Sequence, residues 1–455
     1  MDLLRALLSV WTSARSFVLA IWRRLNYRAK IVDVEWCADK FPLTLAPKAL
    51  KEAANAFIQA LQPEAIEALA SHHNDGKPCK IFYRLHGSFN VCYFVEFEDG
   101  IRWTVRVPIT PRLFQPWEKL QSEVATLNYI RSQTSIPVPM VYAFGSDAFL
   151  TADKTQSQMF LISEFINGVP LMPDRLLNAD GVTRTAFYRQ LFDYLAQLRG
   201  LELEKLGSLI PAVAPTPSVG NVLSFATNNL QLRLPSFTSA KDYILSQYRV
   251  LQHQVYSPVE DYSESDSRYE LFALHTFKQS FDELARHSDT CIDEPFVLNH
   301  PDLHLCNILV DSDMSIIGII DWEFAHTVPL RLFTPPLWAI YQQPGLEQLS
   351  NWFSTELAAA ASGDDRFAQL FREWYGRAEL NEAFYLARVI RHPTELTEAF
   401  ERLVARKELG SNVEKAESEF FQSHPEVALE ATRLAAQNAR WTRYLHESGM
   451  MESAE

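Results

Sequence analysis

Apolar and polar residues alternate along two stretches, 91–97 and 101–107, which is the pattern of half-buried β-strands. An Asp-Gly pair lies between them and favours a hairpin turn, because glycine tolerates a positive φ. The pattern also predicts a helix over 117–132 and a further apolar strand over 157–166. This part of the chain is therefore expected to be rich in strands.

The rest of the chain has mostly helical spacing. Residues 46–71 form a helical pattern that Pro63 interrupts. Later helices are predicted over residues 182–201, 238–256, 268–287, 347–362, 365–377, 380–404 and 412–447. Polar connections are predicted over 210–237 and 257–267. Because a single core seldom grows beyond about 300 residues, a chain of 455 is expected to form two lobes, a small strand-rich one and a larger helical one.

The first thirty residues differ from the rest of the chain in charge. They contain one acidic and six basic side chains, and their apolar residues share one helical face. Arginines at positions 5, 15 and 23 keep each uncharged run too short to span a bilayer. Three interpretations remain open for residues 1–30: a helix packed on the protein, a helix lying on a membrane surface, and a mitochondrial presequence.

Composition narrows the class of protein. The formal net charge is −14, which argues against a nucleic-acid partner, since binding phosphates requires a basic surface. The five cysteines are scattered and form no CxxC pair, which favours a reduced, intracellular protein without a disulfide framework. We expect a cytoplasmic location, with the mitochondrion as the alternative.

Three oxygen-bearing side chains converge around a predicted hairpin. Residues 308–310 and 316–320 are short apolar strands joined by a turn-forming sequence, so Asn307 and Asp321 flank the open end of the hairpin. Asp302 lies on the loop that enters this end. Carboxylate and amide oxygens are ligands that suit Mg²⁺. The alternative is that Asp302 and Asn307 are turn residues bonded to their own backbone.

The spacing His-x-Asp-x-x-x-x-Asn over 300–307, followed by Asp-Trp-Glu at 321–323, resembles the catalytic and metal loops of the aminoglycoside phosphotransferase and choline kinase-like family. His304 stands where protein kinases usually have lysine, which resembles the small-molecule branch of this fold. The sequence looks most like fungal-type members of the family. The resemblance implies an α+β, bilobal protein kinase-like fold. It also implies that Asp302 is catalytic and that Asn307 and Asp321 are metal ligands.

The resemblance extends upstream, where it implies nucleotide-binding residues. The segment 84–90 looks like a phosphate loop with a single glycine, in which Gly87, Ser88 and Asn90 would bind the nucleotide. Arg106 occupies the position of the phosphate-binding lysine, and Glu123 on the following helix is placed to pair with it. Residues 163–168 look like the hinge between lobes, where Glu164 and Ile166 would contact adenine.

The expected activity is therefore ATP-dependent and Mg²⁺-dependent phosphorylation of a hydroxyl on a small molecule. The expected domains are a cationic segment at 1–30, a nucleotide-binding lobe at 31–166 and a helical lobe at 167–455. Residues 1–30 are the expected site of any membrane-surface contact. An acidic stretch at 260–266 is expected to be a solvated loop, although it would also attract a cationic acceptor.

Two rival functions are consistent with parts of the sequence. Arginine in place of the lysine, together with a loop of only one glycine, is what a pseudokinase or scaffold of the same fold would show. The alternation of His300, Asp302, His304 and Cys306 would place all four side chains on one side of a strand, as in a metal-dependent hydrolase.

Overall fold

The computed structural model describes residues 46–212, 217–290, 294–340, 346–376, 380–402 and 412–451. The predicted amphipathic segment at 1–30 lies outside the described residues. One compact unit, Leu50–Arg443, contains all the residues discussed below as a site. Within a second unit, the Lys48 ammonium donates a hydrogen bond to the carbonyl oxygen of Gly449, 2.7 Å away.

The first part of the compact unit is a strand-rich lobe. Its elements are α1 (Pro47–Ala60), α2 (Pro63–His72), β1 (Cys79–His86), β2 (Asn90–Phe97), β3 (Arg102–Pro108), α3 (Pro116–Gln133), β4 (Val141–Ala148) and β5 (Gln158–Glu164). The five strands form one antiparallel sheet in the order β1-β2-β3-β5-β4. The predicted strands, the hairpin turn and the helix break at Pro63 are confirmed.

Alternation decides which face of this sheet is buried. Val91, Tyr93 and Val95 of β2 are buried together with Val105 and Val107 of β3, and they pack with residues of α1 and α2. The intervening residues of β3 face the other side of the sheet. Arg106 therefore lies opposite Cys92 of β2 and next to Leu161 of β5, on the sheet face that does not belong to this core.

The helical lobe contains small antiparallel sheets among its helices. Its strands are β6 (Val169–Pro170), β7 (Glu202–Leu203), β8 (Leu209–Ile210), β9 (Ser218–Val219), β10 (Phe296–Asn299), β11 (Ile308–Val310), β12 (Ile316–Ile319) and β13 (His326–Pro329). β10 lies between β13 and β7, and β11 lies between β12 and β6. The predicted hairpin at 308–320 is confirmed, with Ile308 paired to Ile319.

Twelve helices of this part of the chain are described. They are α4 (Pro173–Leu177), α5 (Gly181–Arg199), α6 (Phe225–Asn229), α7 (Ala240–Tyr256), α8 (Glu264–Thr290), α9 (Leu337–Ile340), α10 (Glu347–Ala360), α11 (Asp365–Tyr375), α12 (Leu380–Arg391), α13 (Leu396–Phe400), α14 (Val413–Ser423) and α15 (Pro425–Glu447). Among the described residues, no helix combines the length and the apolar character needed to cross a membrane.

Three predicted features are wrong in detail. The helix predicted over 380–404 ends at Arg391, because Pro393 cannot continue the α-helical hydrogen bonding and begins a short 3₁₀ turn. The helix predicted over 412–447 is divided at Pro425 for the same reason. The connection predicted over 210–237 contains α6, which Ser224 caps in a reciprocal hydrogen-bonded box with Thr227.

Candidate active site

The hairpin of β11 and β12 brings Asn307 and Asp321 together. Asn307 directly precedes β11, and the N–H of Ile320 donates a hydrogen bond to the Asn307 carbonyl oxygen at 3.0 Å. Asp321 follows with a positive φ of 66°, which turns the chain away from the strand. The two predicted metal ligands therefore lie side by side at the open end of the hairpin.

His300 fixes the loop that carries Asp302. The backbone N–H of Asp302 donates to His300 Nδ1 at 3.1 Å, so the proton of this ring is on Nε2, which donates to the carbonyl oxygen of Ile320 at 3.0 Å. Burial lowers the pKa of His300 to about 4, so the ring is neutral and keeps this tautomer at pH 7. His300 thus ties the Asp302 loop to the end of β12.

Asp302 has a histidine as its direct partner. His304 Nε2 lies 2.5 Å from Asp302 Oδ1. Burial favours the neutral acid, but the His304 contact outweighs it and lowers the pKa of Asp302 below its ordinary value. The same contact raises the pKa of His304 against the opposing effect of burial. Asp302 is therefore an ionised carboxylate at neutral pH.

Asn307 is oriented with its oxygen available. Its Nδ2 donates to the Asp302 carbonyl oxygen at 2.8 Å, and no described residue donates to its Oδ1. An amide held in this way leaves its oxygen available, and its residue lies at the same end of the hairpin as Asp321. An amide oxygen and a carboxylate are a donor pair that suits Mg²⁺, which completes its octahedron with water and phosphate oxygens.

A charged network joins the two lobes behind this pair. Arg106 bonds to Glu123, and its Nη2 lies 3.8 Å from both Asp321 Oδ1 and Glu323 Oε2. Burial opposes the Arg106 charge, but these three carboxylates raise its pKa above the ordinary value. The predicted pairing of Arg106 with Glu123 is present.

Lys119 and Glu323 are two members of this network that the sequence reasoning did not identify. The Lys119 ammonium contacts Glu323 and lies 3.9 Å from Glu123 Oε2. Glu323 also accepts a hydrogen bond from the Asn90 amide at 2.9 Å. A lysine four residues before a glutamate on one helix is a signal that both side chains share a face, but their burial depends on the tertiary fold.

The pKa values of two carboxylates in the network, Asp321 and Glu323, shift in opposite directions. Burial raises the pKa of Asp321, and the nearby Glu323 charge adds to this effect, with only partial compensation from Arg106. Burial would also raise the pKa of Glu323, but Lys119 and Arg106 lower it below its ordinary value. The positive charges near Asp321 therefore do not fully balance its carboxylate. A cation bound at this position would stabilise the ionised form.

The predicted phosphate loop is an exposed turn between β1 and β2. The Gly87 N–H donates to the Asn90 carbonyl oxygen at 2.9 Å, and the Ser88 carbonyl oxygen accepts from Arg112 at 2.9 Å. Ser88 is exposed, whereas the Asn90 amide is bonded to Glu323. Of the three loop residues, Asn90 thus acts on the lobe contact, and the nucleotide-binding role of all three stays a prediction.

The predicted hinge follows β5. The Glu164 carboxylate accepts from the Met140 N–H at 3.1 Å, and the Glu164 N–H donates to the Met140 carbonyl oxygen at 2.8 Å. The Ile166 carbonyl oxygen accepts from the Gly168 N–H at 2.9 Å, whereas no described residue accepts from the Ile166 N–H. Recognition of adenine by these two residues also stays a prediction.

The alternating residues 300–306 do not form the strand that the hydrolase interpretation requires. β10 ends at Asn299, and the chain then forms a loop and a 3₁₀ turn at Leu305–Asn307. In the part of the chain that the structure describes, no three His, Cys, Asp or Glu side chains come together as metal ligands. The side chains of His300 and His304 serve the loop and Asp302 instead.

Comparison with known proteins decides the family. The sequence profile of the phosphotransferase enzyme family matches residues 84–330, which is more than half of the 455 residues. The chain belongs to this family. The matched range begins at the phosphate-loop segment and ends after β13, so it includes Arg106, Asp302 and Asp321.

Individual relatives of this phosphotransferase-family chain are distant. A protein of Ampulloclitocybe clavipes named clavilactone A biosynthesis cluster protein Y is 22% identical over 248 residues, which are 52% of this chain and 57% of that protein. The alignment thus spans little more than half of that relative's length.

Two solved structures are similar in part. An ethanolamine kinase of Plasmodium vivax shares 12% identity with a TM-score of 0.42, covering 81% of this chain and 87% of that one. A macrolide 2'-phosphotransferase of Brachybacterium faecium shares 16% identity with a TM-score of 0.36, covering 74% and 97%. The fold of this family member is the predicted bilobal kinase-like one, with a strand-rich lobe followed by a helical lobe.

Proposed function

We propose that the protein transfers the γ-phosphoryl group of ATP to a hydroxyl of a small molecule, with Mg²⁺. The observation that carries this proposal is the convergence of an ionised Asp302, the free oxygen of Asn307 and the carboxylate of Asp321. The family supports a small-molecule phosphotransferase, and the nucleotide and metal are part of the proposal.

The geometry supports a division of roles among these residues. Asp302 orients the acceptor hydroxyl and takes its proton as the hydroxyl oxygen bonds to the γ-phosphorus. The bond from that phosphorus to the bridging oxygen breaks, and its electron pair leaves with ADP. Asn307 and Asp321 would hold Mg²⁺, which offsets phosphate charge when bound.

Arg106 is the cation of the strand-rich lobe closest to Asp321, at 3.8 Å. Its planar fork is occupied in part by Glu123, which fixes the direction of the remaining donors. We infer that these donors neutralise phosphate oxygens in place of the usual ammonium. Because few covalent roles are required, positioning and electrostatics supply most of the rate.

A comparison of two substitutions tests the proposal. Asp302→Asn removes the proton acceptor and keeps the shape, so it should retain the stabilisation by Mg²⁺ and ATP while phosphoryl transfer falls by roughly 10²–10⁴-fold. Asp321→Asn removes a metal ligand, so it should weaken the Mg²⁺-dependent binding of ATP itself. Melting temperature with Mg²⁺ and ATP, with ATP and chelator, and ADP formation are the measurements.

The pseudokinase remains the second candidate, because Arg106 and Lys119 are both engaged by carboxylates. At a hundredfold excess over its dissociation constant, a ligand stabilises the folded state by about 2.7 kcal/mol. A pseudokinase would show this stabilisation or none, and in either case no ADP would form. Asp302→Asn at wild-type activity would contradict the role of Asp302.

A further inference from the structure

A loop of the helical lobe reaches across to the strand-rich lobe. It consists of residues 222–234, between β9 and α7, and we call it the clamp loop. Its two ends are joined, because the Val222 N–H donates to the Leu234 carbonyl oxygen at 3.0 Å. Ser224 caps the enclosed helix α6, and Val222, Ala226 and Leu234 are buried in the core of the helical lobe. The clamp loop is therefore anchored in the helical lobe at both of its ends.

Asn228 joins the clamp loop to the connection between β3 and α3. Its side chain is buried, its Oδ1 accepts from the Phe114 N–H at 3.0 Å, and its Nδ2 donates to the Arg112 carbonyl oxygen at 3.0 Å. The guanidinium of Arg233, further along the clamp loop, lies 5.7 Å from the centroid of the Phe114 ring. Removing the amide would leave a backbone donor and a backbone acceptor of the strand-rich lobe without their partner.

The connection between β3 and α3 supports the tip of the predicted phosphate loop. Nη1 of Arg112 donates to the Ser88 carbonyl oxygen at 2.9 Å. The Ile109 N–H donates to the Phe89 carbonyl oxygen at 2.8 Å. Two successive residues at the tip are thus bonded to the connection that Asn228 holds, so a movement of this connection would move the tip.

The clamp loop also contacts the tip directly, through an aromatic ring. The centroid of the Phe225 ring lies 5.7 Å from that of Phe89 and 4.9 Å from that of Phe324. The Phe89 and Phe324 rings lie 5.3 Å apart and are nearly perpendicular, which is a favourable edge-to-face arrangement. One ring each from the clamp loop, the phosphate loop and the segment after Asp321 thus pack together across the lobes.

The phosphate loop has little packing of its own. Residues 84–88 are exposed, and a Cβ added to Gly87 would meet no atom within 4 Å. A turn of this kind binds phosphate through converging backbone N–H groups, so its backbone must be held in one position. The contacts of Ser88, Phe89 and Asn90 supply this restraint, and the clamp loop provides or supports the first two.

We propose that the clamp loop holds the phosphate loop in the position in which it binds the phosphates of the nucleotide, with Asn228 and Phe225 as positioning residues. This inference rests on the proposed function. Both residues belong to the helical lobe and act through the strand-rich lobe. The affinity for the phosphate groups then depends on the fraction of molecules in which the clamp loop is engaged.

The test compares a nucleotide with the nucleoside that lacks its phosphates. Calorimetry measures the dissociation constants of AMP-PNP, a non-hydrolysable analogue of ATP, with Mg²⁺ and of adenosine. Asn228→Ala removes both hydrogen bonds to the strand-rich lobe, so the dissociation constant of AMP-PNP should rise about tenfold or more. The dissociation constant of adenosine should not change, because adenosine has no phosphate for the loop to hold.

Hydrogen exchange without nucleotide measures the restraint itself. Amides of residues 84–91 should exchange faster in Asn228→Ala than in the wild-type protein. Phe225→Leu weakens the other contact and should change the exchange and the AMP-PNP affinity in the same direction, so it tests the inference even if Asn228→Ala fails to fold. Asn229→Ala is the matched control, because this exposed side chain bonds, among the described residues, only to Asn228, at 3.3 Å. Melting temperatures show whether each variant folds.

The outcomes separate this inference from the proposed function. Unchanged AMP-PNP affinity in the folded variants would overturn the inference and leave the proposed function intact. An equal loss of affinity for AMP-PNP and adenosine would also overturn it, because the effect would then not act through the phosphates. Exchange that depends on Asn228, in a wild-type protein that binds neither molecule, would support the restraint by the clamp loop and overturn the proposed function.

Discussion

The protonation of one site residue depends on its neighbour, and the contact between His304 and Asp302 is the clearest example. The contact lowers the pKa of Asp302 and raises the pKa of His304, so the charged pair persists to higher pH than a free histidine would allow. While His304 is protonated, it competes with the acceptor hydroxyl for the Asp302 carboxylate. Loss of its proton releases a stronger proton acceptor.

We therefore expect kcat/KM to rise with pH through an apparent pKa above the ordinary histidine value of about 6.5. His304→Gln should remove this limb of the profile and leave the melting temperature little changed, because the His304 side chain is half-exposed. The measurement is the pH profile of both proteins. An identical limb in His304→Gln would assign it to another group.

Lys119 gives a second prediction at the level of a residue, on stability. It is buried, and its partner Glu323 is buried as well. Lys119→Met leaves a buried carboxylate without its main counter-ion, which typically costs about 3–5 kcal/mol. The double substitution with Glu323→Gln removes both charges and should recover part of this loss. Urea unfolding of the single and double variants measures it, and an additive result would contradict the coupling.

The positions of the site residues were predictable from the sequence to different degrees, while their roles stay predictions. Asp302, Asn307 and Asp321 were predictable because strand composition and spacing put them at one end of a hairpin. The position of Lys119 in the buried network was not predictable. The sequence around Lys119 indicates a helix, but it does not show which face of that helix packs against the other lobe.

At the level of elements, the predicted hinge at residues 163–168 and the hairpin of β11 and β12 are packed against each other. A Cβ added to Gly318 of β12 would lie 2.7 Å from Cδ1 of Ile166, and one added to Gly168 would lie 2.9 Å from Cδ1 of Ile317. These two glycines allow the chain that enters the helical lobe to lie directly over the hairpin. The position of Ile166 therefore depends on the absence of a side chain on β12.

Gly318→Val should displace Ile166 and reduce both stability and ATP affinity. Overpacking of this kind typically costs about 1–3 kcal/mol. Gly363→Ala is the control, since its Cβ would meet only the Ala360 carbonyl oxygen at 3.9 Å. Melting temperature and nucleotide titration are the measurements. Loss of stability without any change in ATP affinity would separate the hairpin from the hinge.

Element boundaries show why sequence patterns failed where they did. β4 was not predicted, because Val141–Ala148 is mostly exposed and lacks the apolar alternation of a half-buried strand. The helices predicted over 380–404 and 412–447 were too long. The apolar residues have helical spacing on both sides of Pro393 and Pro425, so the spacing alone did not indicate that each proline interrupts the helix. β2 and β3 of the main sheet were predictable because their burial alternates.

At the level of the whole molecule, the predicted lobe boundaries and the location of the protein stay predictions. We propose a cytoplasmic protein in which residues 1–30 form a helix packed on the rest of the chain. Deletion of these residues should then lower the free energy of unfolding by about 2 kcal/mol or more, since buried apolar area would be lost. The distribution between cytosol and organelles should not change.

Fractionation and urea unfolding of the full chain and the deletion variant measure both effects. A shift of the protein from mitochondria or membranes to the cytosol, with an unchanged unfolding free energy, would instead support a presequence or a membrane-surface helix. Arg23→Glu with Arg24→Glu in the full chain is a matched control, because it changes the charge of the segment and keeps its apolar face.

The Glu323 carboxylate has a kinetic consequence. It follows the hairpin of β11 and β12 in the helical lobe, yet it accepts a hydrogen bond from Asn90 of β2 and contacts Lys119 of α3 in the strand-rich lobe. On the proposed function, ADP would be enclosed by both lobes and would leave only after these contacts open. The residence time of ADP would then limit the turnover rate, and a rapid first cycle would be followed by a slower steady state. Glu323→Gln would shorten this residence time.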